Sequence, residues 1–124
     1  MLKEFEGHKY VCIETYRKSG EAIRTPVWFV SDKSALYVRT YEDSGKVKRI
    51  RNNKKVRAAP CSFDGSILGN WLDVEPEFVD NKYDEAGLKR MFRSKYGTQV
   101  LFTSFLAKLR RKRYVMLKLL PKHS

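Results

Sequence analysis

The sequence contains few cysteines and histidines and has no long apolar run. Its 124 residues include two cysteines and two histidines, and no C-x-x-C spacing occurs. Cys12 and Cys61 each stand in an apolar run, so we expect free, buried thiols of a cytoplasmic protein, without a redox motif or metal site. His8 and His123 lie near the two ends, which argues against catalysis by a histidine-activated nucleophile. No run approaches the roughly 20 apolar residues of a membrane span, and the first residues do not resemble a secretory leader.

Positive charge is abundant and unevenly placed. The formal net charge is +12, and residues 46–57 include seven basic residues and no acid. A second basic cluster occupies residues 108–113. Charge of this size attracts anionic partners, which leaves nucleic acid, a membrane surface or a small phosphorylated ligand as candidates.

The pattern predicts one mainly β domain over residues 1–124. Runs rich in β-branched and aromatic residues, separated by turn residues, predict strands, while apolar positions three or four apart predict helices. About six short strands with two to three helices favour a closed or nearly closed barrel, because closure removes exposed strand edges. The expected strands are 10–16, 22–30, 35–40, 55–63, 66–79 and 114–120, and the expected helices are 44–53, 84–96 and 100–109.

One proline interrupts the second predicted strand. Pro26 has no backbone N–H and is tolerated within a sheet only at an edge or a bulge. The backbone of Thr25, Pro26 and Val27 is therefore expected to face a ligand rather than a neighbouring strand.

The first predicted helix begins directly after the third strand. Asp43 or Ser44 can cap it, and its first turn presents the N–H groups of Gly45, Lys46 and Val47 at the positive end of the helix dipole. Gly45 would let a ligand approach the backbone closely. This geometry suits a phosphate group.

Side chains around that helix start strengthen the phosphate hypothesis. Lys46 and Lys48 supply positive charge, and Thr40 and Ser44 supply hydroxyl groups. The alternative is a solvated basic helix start with no ligand, and the residue chemistry alone favours neither.

Several segments together resemble the pyridoxamine 5'-phosphate oxidase-like split β-barrel proteins, and most closely the branch that uses FMN or the deazaflavin F420. The likeness extends from about residue 10 to residue 121. The segments that carry it are RTPVWF at 24–29, LYVRT at 36–40, SGKVKRIRNN at 44–53, VRAAPC at 56–61 and KYG at 95–97.

The resemblance implies a cofactor-binding role for the second strand. Arg24 would reach the phosphate or ribityl side of the cofactor, and the backbone of Thr25, Pro26, Val27 and Trp28 would lie along its ring system. Trp28 is nearly as well explained by core packing.

The same resemblance implies that Thr40, Ser44 and Lys46 hold the phosphate. Pyridoxamine phosphate oxidases have an arginine between that serine and lysine, where this sequence has Gly45, and Lys48 would supply the missing charge. Asn70 would line the pocket, although a turn is the commoner role for such a residue.

The function implied is hydride transfer between FMN or F420 and a small organic substrate, in a homodimer with the cofactor at the interface. Departures from the oxidase pattern argue against pyridoxamine phosphate as the substrate. Two alternatives stay open. One is a non-enzymatic cofactor carrier on the same fold, and the less favoured one is a nucleic-acid binder that uses the basic clusters with Tyr41 and Tyr114 as stacking groups.

Overall fold

Six antiparallel strands close into one barrel in the computed structural model, which describes residues 2–79, 82–111 and 113–122, and of 82–86 the backbone alone. The strand order around the barrel is β1-β2-β3-β6-β5-β4. The predicted mainly β barrel is thereby confirmed. The strands are β1 (Tyr10–Tyr16), β2 (Ala22–Ser31), β3 (Leu36–Tyr41), β4 (Val56–Cys61), β5 (Leu72–Val79) and β6 (Tyr114–Pro121).

The described residues form three α-helices beside the barrel, and a short 3₁₀ helix, Leu2–Phe5, precedes β1. The helix α1 (Gly45–Asn52) follows β3, and α2 (Lys82–Tyr96) and α3 (Thr98–Leu109) connect β5 to β6. None of the helices formed by the described residues is long and apolar enough to cross a membrane. Lys112 of the second basic cluster and His123 lie outside the described residues.

The core has two layers. Alternate residues of the strands, among them Val11, Ile13 and Val38, fill the barrel interior without exposure to solvent. Residues on the outer face, such as Val30 and Met116, pack against α2 and α3. The two helices therefore cover one side of the barrel and are fixed against β2 and β6.

Residues 66–71 do not continue the fifth strand, which begins only at Leu72. The carboxylate of Asp64 accepts the Ser66 N–H at 3.0 Å, and Gly65 has a φ of 89°, so the chain turns here. A side chain at Gly69 would meet the Pro60 ring at 2.6 Å. The segment is thus a loop packed on β4, with one bridge between Cys61 and Ile67.

The two cysteines are free and buried, as predicted. They lie on the neighbouring strands β1 and β4. Burial raises the pKa of the Cys12 thiol, and burial beside Cys12 raises that of Cys61 to about 12. Both thiols are therefore protonated at neutral pH and poorly nucleophilic.

Candidate functional site

Strands β2 and β3 separate part-way along their length. Their pairing runs from Ser31 opposite Leu36 to Phe29 opposite Val38 and ends there. Beyond that point β2 pairs with β1 alone, and β3 pairs with β6. An opening is left between residues 22–28 on one side and residues 39–41 on the other.

Backbone groups of β2 face this opening. The backbone N–H of Phe29 donates to the Tyr96 hydroxyl at 2.9 Å, and that hydroxyl donates in turn to the Lys9 carbonyl at 2.8 Å. Since Lys9 directly precedes β1, the backbone groups of Phe29 point towards β1. Because successive residues of a strand point to opposite edges, Trp28 and Pro26 present their backbone groups to the opposite, unpaired edge. No strand pairs with this edge at Pro26, so the missing N–H of proline costs the sheet no hydrogen bond. The expected position of Pro26 at a strand edge is confirmed.

A cavity of about 220 Å³ occupies the opening, and we call it the ring cavity. One wall is apolar and aromatic, with Trp28 stacked on Tyr96 at 4.6 Å between ring centroids. The opposite end is polar and cationic. The lining residues are Val27, Trp28, Arg39, Thr40, Tyr41, Lys46, Phe92, Val100, Thr103 and Tyr114.

The polar end is built at the junction of β3 and α1. The Ser44 hydroxyl caps α1 by accepting the Val47 N–H at 3.3 Å, and it lies 3.4 Å from the Thr40 hydroxyl. The Val47 N–H is therefore occupied, contrary to our expectation of three open donors. Gly45 and Lys46 remain as the first two helical residues, whose N–H groups have no acceptor within the helix.

Lys46 brings an ammonium group to this end of the cavity. Burial, and secondarily the charge of Arg49, lowers the pKa of Lys46. Both effects penalise the charged form, so an anion bound nearby would be favoured because it offsets them.

Arg49 occupies the space that the missing side chain of Gly45 leaves. A Cβ atom at Gly45 would lie 2.7 Å from Nη1 of Arg49, and Nε of Arg49 donates to the Thr15 hydroxyl at 2.7 Å. Lys48 is exposed on the outer side of α1. The additional positive charge beside the helix start, which we expected from Lys48, thus comes from the guanidinium of Arg49.

Arg24 lies in a separate ionic cluster. The buried carboxylate of Glu14 accepts from Nε of Arg24 at 2.9 Å and from Nε of Arg57 at 2.7 Å, and Tyr16 also donates to it. Both guanidinium groups lie 4.8 Å from the ring centre of Trp71. The cluster fixes the loop before β5 against β1 and β2.

The predicted site residues are thus only partly brought together. Val27, Trp28, Thr40 and Lys46 line the ring cavity, and Ser44 contacts Thr40. Pro26 presents its backbone to the open strand edge, as expected. The backbone groups of Thr25 and Val27 point to β1 by the same alternation, contrary to our expectation that they face a ligand. Arg24, Lys48 and Asn70 are exposed and are not among the lining residues.

Sequence reasoning missed Arg39 at one end of the cavity, and it named Tyr41 and Tyr114 only as stacking groups for nucleic acid. The ring of Tyr114 stacks on Tyr41 at 4.7 Å and lies 3.7 Å below the guanidinium carbon of Arg39. Nη1 of Arg39 donates to the Ser104 hydroxyl at 3.0 Å, which ties β3 to α3. The signal that could have identified Arg39 is its position as a charged residue within the mainly apolar segment Leu36–Tyr41. No cluster of potential metal ligands was found in the part of the chain that the structure describes.

Solved structures of low sequence identity share this architecture. A heme storage protein from Vibrio cholerae is 14% identical with a TM-score of 0.74, and the alignment covers 99% of this chain and 89% of the other. The fold is that of the split β-barrel proteins. A Listeria innocua protein assigned to the pyridoxamine 5'-phosphate oxidases is 11% identical with a TM-score of 0.70, covering 98% of this chain and 90% of its own.

A third split-barrel structure, an F420 reductase, is 17% identical with a TM-score of 0.62, and the alignment covers 98% of this chain and 93% of the other. No family model matches the sequence. No curated protein matches it either. The predicted resemblance is confirmed for the fold.

Proposed function

We propose that this split-barrel protein binds a flavin-type cofactor, FMN or F420, in the ring cavity and transfers hydride between it and a small organic substrate. The observation that supports the proposal is the divergence of β2 and β3. It places an apolar wall, an unpaired strand edge and the half-buried ammonium of Lys46 around one opening.

The residues present fit such a cofactor. A flat ring matches the wall of Val27 and Trp28, and its carbonyl and N–H groups match the backbone at the open edge of β2. A phosphate group matches Thr40, Lys46 and the first N–H groups of α1. Two of the similar structures, the F420 reductase and the Listeria protein, support a flavin-type ligand on this fold.

The cofactor, when bound, supplies the hydride chemistry. The protein's part is to position the two reactants and to exclude water from their contact. None of the described lining residues is an acid or a histidine. Orientation in the ring cavity is therefore the main contribution that we assign to the protein.

The size of the ring cavity supports the proposed homodimer. At about 220 Å³ it is smaller than the roughly 300–1,000 Å³ of sites that enclose a ligand of this size, so a single chain would leave part of the cofactor uncovered. Light scattering should give about twice the 14.6 kDa mass of one chain. A monomer that persists at micromolar concentration and still binds the cofactor tightly would contradict the interface model.

Salt dependence separates cofactor binding from nucleic-acid binding. If four of the seven cations in residues 46–57 engaged single-stranded DNA, its affinity would fall roughly 600-fold for a ten-fold rise in salt. Cofactor binding uses hydroxyl, backbone and ring contacts as well, so we expect a loss below about ten-fold. FMN, F420 and a DNA oligonucleotide are titrated at two salt concentrations. DNA binding that persists while neither cofactor binds would exclude the oxidoreductase proposal.

The carrier alternative shares the ring cavity but predicts no turnover. Anaerobic mixing of the reduced cofactor complex with a panel of organic acceptors distinguishes the two. Oxidation that is faster than for the free reduced cofactor supports an enzyme, and equal rates across the panel support a carrier. Hemin is titrated as a further ligand because one of the similar structures is that of a heme storage protein.

A further inference from the structure

A second cavity, of about 360 Å³, lies between α2 and α3 next to the ring cavity. We call it the cationic cavity. Its floor is apolar, and five basic side chains surround it, from α2, α3 and β3. Its lining residues are Arg39, Lys89, Arg90, Arg93, Val100, Leu101, Ser104, Ala107, Lys108 and Tyr114.

The described side chains that line this cavity carry charge of one sign. None of the described residues that line it is acidic. Lys89 and Arg93 are four residues apart on α2, and Arg90 is three from Arg93, so the three side chains share one helix face. Like charges at the spacing of Arg90 and Arg93 destabilise a helix, and an anion bound between these two side chains would offset their repulsion.

The cationic cavity adjoins the ring cavity directly. Arg39, Val100 and Tyr114 line both cavities. The guanidinium of Arg39 is held at this boundary by the Tyr114 ring and the Ser104 hydroxyl. One molecule can therefore place an anionic group among the α2 arginines and extend its uncharged end past Arg39 to the ring cavity.

We propose that the cationic cavity binds the anionic group of the substrate, which is an organic carboxylate or phosphate ester with an apolar reacting end. This inference rests on the proposed function, since the ring cavity is where that end would meet the cofactor. The apolar floor of Val100, Leu101 and Ala107 selects an organic anion over an inorganic one, because it offers hydrophobic contact and no further hydrogen bonds.

The test uses 2-naphthoate and 1-naphthyl phosphate as probes, with 2-naphthalenemethanol as the neutral isostere. The double variant R90Q/R93Q removes two charges from the cationic cavity. Its matched control, R51Q/K54Q, removes two charges from exposed positions in and after α1. Probe fluorescence is titrated with each protein at one fixed ionic strength, and FMN is titrated separately.

We expect R90Q/R93Q to bind the tighter anionic probe at least ten-fold more weakly than the parent, with the control variant unchanged. The neutral isostere and FMN should bind the parent and R90Q/R93Q alike. The anionic probe that binds more tightly shows whether the substrate's charged group is a carboxylate or a phosphate ester.

Equal weakening in both double variants would mean that net charge alone attracts the probe, and would overturn the proposal. If FMN fails to bind the parent while the probe responds as expected, the cationic cavity stands and the cofactor proposal fails.

Discussion

Replacing Lys46 by alanine should weaken FMN binding by about 1.5–3 kcal/mol, which is roughly ten-fold to over a hundred-fold in the dissociation constant. Lys46 is the lysine that lines the ring cavity, beside the hydroxyl groups of Thr40 and Ser44. Its loss removes a charge-assisted hydrogen bond to the phosphate. Isothermal titration of parent and variant with FMN measures the change directly.

Riboflavin, which lacks the phosphate, provides the control ligand for this substitution. It should bind K46A almost as well as it binds the parent. K54A removes the same charge from an exposed position after α1 and should leave FMN binding within about two-fold, because surface charges contribute little. Equal losses for FMN and riboflavin in K46A would show that the lysine supports the fold instead of the phosphate.

Removing the carboxylate of Glu14 should cost about 2–4 kcal/mol of unfolding free energy, towards the lower end of the range for a broken buried ion pair. The Glu14 side chain is 1% exposed, whereas those of Arg24 and Arg57 are 53% and 32% exposed, so water partly compensates both arginines after the substitution. Urea unfolding of Glu14→Ala at pH 7 measures the loss. A change below about 1 kcal/mol would contradict a structural role for the cluster.

The same carboxylate predicts a pH dependence. Hydrogen bonds from Arg57, and further ones from Tyr16 and Arg24, lower the pKa of Glu14 from 4.5 to about 2. Its stabilising contribution is therefore complete above pH 4.5 and is lost as the pH falls towards 2. The stability gap between the parent and Glu14→Gln should narrow by about 2 kcal/mol between pH 7 and pH 3. A gap that is constant with pH would assign the effect to packing.

The strands were predictable because their signals are local. The β-branched run of residues 10–16 matches β1 at both ends, and β6 differs by one residue. The strand prediction was wrong for residues 66–71 because Ile67 and Leu68 are typical strand residues. The turn at Gly65 and the contact of Gly69 with Pro60, which exclude a strand, depend on the folded chain.

The ring cavity was only partly predictable because its residues come from distant parts of the chain. Arg39 and Tyr114 are neighbours only through the pairing of β3 with β6. Arg49 was different, since it lies four residues after Gly45 on a helix. Residues at that spacing share a face, so its approach to Gly45 was available from the sequence.

Pro26 also has a consequence for self-association. An unpaired strand edge is a template on which another chain can add a strand, and such addition is a common beginning of aggregation. Along residues 22–28, the edge of β2 that faces away from β1 is unpaired and could accept such a strand. At Pro26 an incoming strand would find a ring where it needs a hydrogen-bond donor, so its ladder would be interrupted in the middle. The same residue that leaves this edge open for a small ligand therefore makes it a poor partner for a second strand.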